Sequence, residues 1–360
     1  MYILMISRAT LFSLPGGDTM QINKTAEYLR DKGVLIDIKL ANDTIDYSRY
    51  DLIHFFNIIR PSDILGHIKK SKLPYIVSPI YVEFDNIEKL NGGLRGLLYK
   101  VFGSDGIEYI KTLARLYKNA EQISDWRYLI LGHKNSLKYV IKNSKLLLPN
   151  SHSEMNRLIN KYHVTKDYIV VPNAIDKKVF NLSIVANPDY LDAVITVGQI
   201  TPRKNQLNII RALNQSSFNV FIIGKPSRNA LDYYKQCKKE ASNNIHFIDY
   251  LEHEELAKIY KAAKVHILAS WFETTGLVSI EAAIMGCNIV ITDEGDQKEY
   301  FKEYATYCEA GSIPSIRKAV EIAYKREYDT SIRNYIFSNY TWEIAADKTL
   351  EAYKKVIKCN

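Results

Sequence analysis

Apolar residues along the chain recur with two periods, and the two alternate. Short apolar runs at Tyr2–Ser7, Val34–Ile38, Leu52–Phe56, Tyr75–Ser78, Lys145–Leu148 and Ile169–Val171 have the length and β-branched content of strands. Between the first two, Ile22, Ala26 and Leu29 fall at i, i+4 and i+7, which predicts a helix from about Asp18 that Gly33 ends. Asp18 followed by Gln21 suggests a capping box at its start. The second half repeats the scheme, with strands at Ala193–Val197, Asn219–Ile223, Ile245–Ile248, Val265–Leu268 and Asn288–Thr292. Helices are expected at Gln206–Leu213, Glu254–Ala263 and Gly276–Met285, and a last amphipathic helix at Trp342–Val356. Strand and helix in strict alternation build parallel sheets. Two such arrays in 360 residues predict an α/β protein of two doubly wound domains, joined near the polar stretch Asn181–Asp189.

Charge separates the two halves. Residues 1–180 carry 26 basic and 18 acidic side chains, whereas residues 181–360 carry 22 of each, so the first half holds the whole excess of +8. Much of it lies in a segment that mixes Arg95, Lys100, Lys111, Arg115, Arg127, Lys134 and Lys138 with Leu97, Val101, Phe102, Leu113 and Tyr117. Such a segment suits an anionic membrane surface; it equally suits a plain solvated helical face. No nucleic-acid-binding module accompanies the charge. Cys237, Cys287, Cys308 and Cys359 form no C-x-x-C pair and read as free thiols, and the first residues run straight into a strand, so a cytoplasmic location is expected. His54, His133, His152 and His163 lack metal-ligand spacing and read as structural or surface residues.

The chemistry concentrates in Ala269–Ala283, which follows a strand and runs into a helix that Gly286 ends. Free N–H groups and the dipole at that helix start make Thr274–Val278 an anion site. Glu273 stands just before the helix and Glu281 about two turns into it, placed to accept hydrogen bonds from hydroxyls of a group attached to the anion. Read alone, the two would be a loop carboxylate and a helix-surface carboxylate.

This segment resembles glycosyltransferase family 4, whose Glu-x7-Glu signature is matched by Glu273 and Glu281 with Gly276 and Ala282-Ala283 in register. Gly16-Gly17 is similar to the family's glycine loop, and Val171–Asp176 to its Pro-Asn-Gly-Val-Asp segment. Gly198–Asn205 resembles the Gly-Arg-x-x-x-x-Lys-Gly phosphate loop, and Thr341-Trp342-Glu343 the opening of the C-terminal helix. The resemblance implies the GT-B architecture: two Rossmann-like domains facing a cleft, with the C-terminal helix crossing back. An acceptor-binding domain would span 1–183 with helix 341–360 packed on it, and a donor-binding domain 184–340.

It also implies site roles. Glu273, Lys204 and Arg203 would be catalytic, with Lys204 neutralising the donor diphosphate. Gly16, Gly17, Gln199, Thr275, Gly276, Leu277, Val278 and Glu281 would bind the donor, with Tyr250 and Leu251 near the base. Two positions depart from the pattern. Gln199 stands where the family has Arg, and the loop after Tyr75–Ser78 lacks the family's His, leaving Tyr81 or Glu83 on the acceptor side. The implied reaction is retaining hexosyl transfer from a UDP- or GDP-linked nucleotide sugar to a hydroxyl of a glycan or lipid-linked acceptor. No cofactor or required metal accompanies it, and surface-polysaccharide or glycolipid synthesis at the inner face of the cell membrane would be its setting. A nucleotide-sugar epimerase of the same architecture, or a non-catalytic nucleotide-sugar-binding protein, remains open on the sequence.

Overall fold

In the computed structural model, which describes residues 1–82, 94–117 and 125–358, the chain divides into two compact units. The first is Met1–Asn173 together with Trp342–Asn360, and the second is Ala174–Thr341. The division falls ten residues before the expected 183, for a physical reason. Ile175 donates its N–H to the carbonyl of Tyr340 at 3.0 Å, and Phe180 is buried in the second unit's core. The linker composition at Asn181–Asp189 marked a surface loop, not the boundary.

The first unit runs β1 (Tyr2–Ser7), α1 (Gly17–Asp31), β2 (Leu35–Leu40), β3 (Leu52–Phe56), α2 (Pro61–Ser71), β4 (Tyr75–Ser78), α3 (Leu94–Tyr117), α4 (Arg127–Asn143), β5 (Leu146–Leu147) and α5 (His152–Tyr162). The sheet is parallel throughout, in the order β2-β1-β3-β4-β5, a doubly wound order whose direction of growth reverses between β1 and β3. Strands β3 and β4 are buried at every position, as a parallel sheet covered on both faces requires. Ile169–Val171, read as a strand, makes only single backbone bonds to Leu147 and Pro149 and forms none.

The start of α1 differs from expectation. Gly16 is the N-cap, and its N–H reaches the Thr19 hydroxyl at 3.1 Å. Asp18 instead takes the Arg8 guanidinium, with Nε at 2.6 Å, and accepts from the Asn57 amide at 3.2 Å. The half-buried Arg8 guanidinium outcompetes a capping role for that carboxylate. Arg8 and Asn57 stand in the loops after β1 and β3, so this cluster closes the reversal point of the first sheet.

The second unit runs β6 (Val194–Val197), α6 (Gln206–Leu213), β7 (Val220–Ile223), α7 (Leu231–Glu240), β8 (Ile245–Ile248), α8 (His253–Ala262), β9 (Val265–Leu268), α9 (Leu277–Met285), β10 (Asn288–Thr292), α10 (Gln297–Phe301), β11 (Ala305–Cys308), α11 (Ile313–Lys325) and α12 (Ser331–Asn339). Its parallel sheet has the order β11-β10-β9-β6-β7-β8, which is the Rossmann arrangement, with the reversal between β6 and β9. Successive strand residues alternate between two cores. Ile195 and Leu268 pack with Tyr260 and Ile280 on one face, while Val194 and Ile267 pack with Ile210 and Val320 on the other.

The last helix, α13 (Trp342–Lys358), returns to the first unit. Its buried stripe of Ala345, Ala346, Thr349, Ala352, Tyr353 and Val356 lies against α1, and Asp347 pairs with Lys32 at 2.6 Å. The Tyr353 hydroxyl ends 2.8 Å from His54 Nδ1, and His54 Nε2 lies 2.8 Å from the Ser78 hydroxyl. Burial drives the His54 imidazole down to about 3, so it is neutral and one ring nitrogen must accept. Tyr353→Phe strands that imidazole nitrogen without a partner. We expect it to destabilise the first unit by about 1–3 kcal/mol, read by urea denaturation followed through its tryptophan fluorescence.

Candidate functional site

The reversal point of the second sheet gathers charge. The loop after β6 carries Arg203 and Lys204, and the loop after the adjacent β9 carries Glu273. Lys204 Nζ lies 2.5 Å from Glu273 Oε1, and an Arg203 guanidinium nitrogen lies 3.0 Å from the same oxygen. Two bonds hold the loops together: Trp271 donates its backbone N–H to the Arg203 carbonyl at 3.0 Å, and the Arg203 guanidinium donates to the Phe272 carbonyl at 2.8 Å. Asn205, in the left-handed region at φ 60°, donates its side-chain amide to the carbonyls of Ala269 and Ala310. A third loop joins them. Glu273 donates its N–H to Glu294 at 3.2 Å and accepts from Asp296 at 3.0 Å. Gly295, at φ +97°, permits this contact, because a Cβ there would collide with the Glu273 carbonyl.

The electrostatics follow from burial. Burial alone would raise the Glu273 carboxyl, but Lys204 and then Arg203 outweigh it and hold the group below its ordinary value. Burial lowers the Lys204 ammonium, with Glu273 pulling the other way. Two cations against one carboxylate leave the cluster net positive, beside the N-terminus of α9. There Gly276 sits at φ +67° as the N-cap without a side-chain cap, and its carbonyl accepts from the Ser279 N–H at 2.8 Å. Positive charge beside a helix N-terminus is an arrangement suited to an anion, and Glu273 holds both cations at that position.

Thr275 and Gly276 are buried, and Leu277 and Val278 half-buried, at the start of α9. Glu281 lies on the same helix, half-buried, with its Oε2 shielded from solvent and without a hydrogen-bond partner. Burial pushes its carboxyl up to about 8, with the nearby Tyr260 hydroxyl lowering it slightly. Gln199 is exposed, and its carbonyl accepts from the Gln206 amide at 3.2 Å. Tyr250 is exposed after β8, its hydroxyl 3.2 Å from Glu252, while Leu251 packs on the core; no contact joins either to the ion cluster. In the first unit, Gly16 and Gly17 open α1, and Tyr81 donates its N–H to the buried Glu154 carboxylate at 2.6 Å. Glu83 lies outside the described residues.

Sequence reasoning missed several polar groups that converge here. Ser279 and Gln297 are fully buried beside Gly276, their side-chain polar atoms without partners. Asn205 staples two loops, and His266 on β9 is buried and neutral. Asn205 ends the loop motif and Ser279 lies inside the Glu-x7-Glu segment, but neither was assigned a role, and the convergence of these residues exists only once β6, β9 and β10 are side by side.

Glu281 carries a pH signature. Its folded-state value of about 8 lies above the ordinary 4.5, so the folded protein retains a proton that the unfolded chain releases between these values. The ligand-free wild type should therefore lose stability relative to Glu281→Gln as pH rises from about 4.5 to about 8. Denaturant unfolding of both proteins at a series of pH values measures this, and a constant difference would contradict the burial argument.

Known proteins share both the segment and the fold. Residues 183–338 match the family model described as Glycosyl transferases group 1. A glycogen synthase of Clostridium botulinum (strain Alaska E43) is 23% identical over 321 residues, covering 79% of this chain and 63% of the relative. The chain thus spans about three fifths of the length of that curated relative. Among solved structures, the sucrose-phosphate synthase of Thermosynechococcus elongatus superposes with a TM-score of 0.75 at 15% identity, over 100% of both chains. Anabaena HepE in complex with UDP and glucose superposes with a TM-score of 0.68 at 13% identity, over 99% of this chain and 100% of that one. The chain therefore has the GT-B glycosyltransferase fold, and its second unit carries the segment that the group 1 glycosyl transferase model describes.

Proposed function

We propose that the protein is a retaining glycosyltransferase that moves a hexosyl unit from a nucleotide sugar to a hydroxyl of a glycan or lipid-linked acceptor. The observation that carries this reading is the Arg203–Lys204–Glu273 ion cluster at the N-terminus of α9, with the Glu281 carboxylate, its Oε2 shielded from solvent, on the same helix. Lys204, Arg203 and the N–H groups from Thr275 to Val278 would hold the diphosphate, and Glu281 would accept from the ribose hydroxyls. Glu273 would face the donor sugar. The bond from the anomeric carbon to the diphosphate oxygen breaks as the acceptor oxygen bonds that carbon on the same face. The acceptor's proton passes to the departing diphosphate. Positive charge fixed in advance by the loops stabilises that leaving group as it develops. HepE, with its bound UDP and glucose, supports a uridine nucleotide as the first donor base to try.

The same proposal includes an acceptor presented at a membrane in polysaccharide or glycolipid synthesis. What supports it is the surface of α3 and α4, where Val101, Phe102, Ile110, Tyr117 and Ile130 are exposed, together with Trp126 just before α4. The basic excess of the first half surrounds them in sequence. Among the described residues, no helix is long and apolar enough to cross a membrane.

A thermal-shift screen of UDP, GDP, ADP and their sugar conjugates tests the donor site. One nucleotide should stabilise the wild type by about 2.7 kcal/mol at a hundredfold excess over its Kd, and should fail to stabilise Lys204→Ala or Glu281→Ala. A shift that survives both substitutions would place the nucleotide elsewhere. For the membrane component, the wild type should float with vesicles containing phosphatidylglycerol at low salt, and Trp126→Glu/Ile130→Glu should stay in the soluble fraction. No flotation of the wild type would remove this part of the proposal.

A further inference from the structure

Helix α3 is broken at Gly103, whose φ of 62° and ψ of 176° lie in a region essentially restricted to glycine. The turn just after the break is tied down. Lys161 of α5 donates to the Ser104 hydroxyl at 2.6 Å, and the Tyr162 hydroxyl donates to Asp105 at 2.9 Å. One turn further on, the Tyr109 hydroxyl donates to the Leu129 carbonyl of α4 at 2.8 Å. A small pocket lined by Tyr81, Asp105, Glu108 and His133 lies behind these anchors, between the loop after β4 and helices α3, α4 and α5. Ahead of the break, Phe102 folds back so far that a Cβ added to Gly106 would meet the Phe102 Cβ at 2.9 Å. A Cβ cannot swing aside as the end of a long side chain can. The folded-back turn therefore needs glycine at 106 as well as at 103.

Helical geometry at Gly103 removes that crowding, because Cβ atoms four residues apart on a continuous helix stand about 5–6 Å from each other. It also changes the surface. Phe102, Ile110, Leu113 and Tyr117, all exposed, then fall at i, i+8, i+11 and i+15, inside a sector about 80° wide. The bend takes Phe102 out of an apolar stripe that the other three already form. Charge favours one partner for the completed stripe. Over Leu94–Tyr117 the sequence has Arg95, Lys100, Lys111 and Arg115 against Asp105 and Glu108, and both acidic residues line the pocket. A basic helix with one exposed apolar stripe fits an anionic bilayer. We propose that α3 is the membrane-contacting element and has two states: bent at Gly103 in the free protein, and straightened on an anionic bilayer, where Phe102 joins Ile110, Leu113 and Tyr117. This rests on the membrane-presented acceptor proposed above.

Pulsed electron paramagnetic resonance on the full chain measures the bend, with spin labels on Val101→Cys and Ala114→Cys in a Cys359→Ser background. Both label sites are exposed and lie outside the stripe, and Cys237, Cys287 and Cys308 are buried. A straight helix sets the two positions about 20 Å apart, at about 1.5 Å per residue. The distance should be shorter in buffer and should lengthen to about 20 Å when phosphatidylglycerol vesicles are added. Gly106→Ala conflicts with the folded-back turn and favours the continuous helix, so it should bind the same vesicles about fivefold more tightly than the wild type. Vesicle-bound protein that keeps its buffer distance, or a folded Gly106→Ala that binds no more tightly, overturns the two-state helix and leaves the membrane reading standing. Should Gly106→Ala not fold, the labelled pair decides by itself. Failure of the wild type to float with the vesicles removes the membrane reading and the two-state helix together.

Discussion

The buried ion cluster of Glu273 with Lys204 and Arg203 is the contact on which the second unit's site depends. Three loops leave the carboxyl ends of β6, β9 and β10. Glu273 ties all three together. Its carboxylate holds the cations of the first loop, and its backbone pairs with Glu294 and Asp296 of the third. A buried pair of this kind contributes little net stability, because desolvation offsets most of the attraction. What it supplies is geometry, with positive charge fixed at a helix N-terminus before any ligand arrives. Removing the carboxylate would leave the half-buried Lys204 and the partly exposed Arg203 without their shared counter-charge.

The first unit solves the same problem with different residues. Its reversal point is closed by Arg8, Asp18 and Asn57, and the adjoining pocket is walled by helices that sit over β3 and β4. Glu154, fully buried, accepts backbone N–H bonds from both Tyr81 and Asn150 and so fixes the loop after β4. The two sheets differ in strand order, 2-1-3-4-5 against 3-2-1-4-5-6 when strands are numbered within each unit, yet both place polar clusters where the order reverses. That is a property of parallel sheets. Two neighbouring loops diverge there to opposite faces and leave a crevice.

Much of this was legible in the sequence. The alternation of strand and helix periods gave the two arrays, because burying a parallel sheet on both faces demands continuous apolar runs between amphipathic helices. The segment Glu273–Glu281 was readable because its spacing spans a strand–loop–helix junction, a local feature. Less was legible wherever a residue's partner is far away in the chain. Asp18 looked like a cap and is an arginine partner. Ile169–Val171 looked like a strand and bonds only through single residues. Phe180, which the expected boundary at 183 put in the first domain, is core of the second unit.

By itself, then, the sequence determined the fold class, the approximate elements and the strand–loop–helix junction at Glu273–Glu281, since these depend on periodicity and on neighbours a few residues apart. Only the tertiary structure decided which polar residues work together. Arg203 meets Glu273 across 70 residues, His54 meets Tyr353 across 299, and His133 reaches the pocket beside Tyr81 from another helix. Hydrogen bonds and ion pairs act over a few ångströms and carry no periodicity of their own. Their partners are therefore settled by how the strands order themselves in the sheet, and no local pattern in the chain records that order.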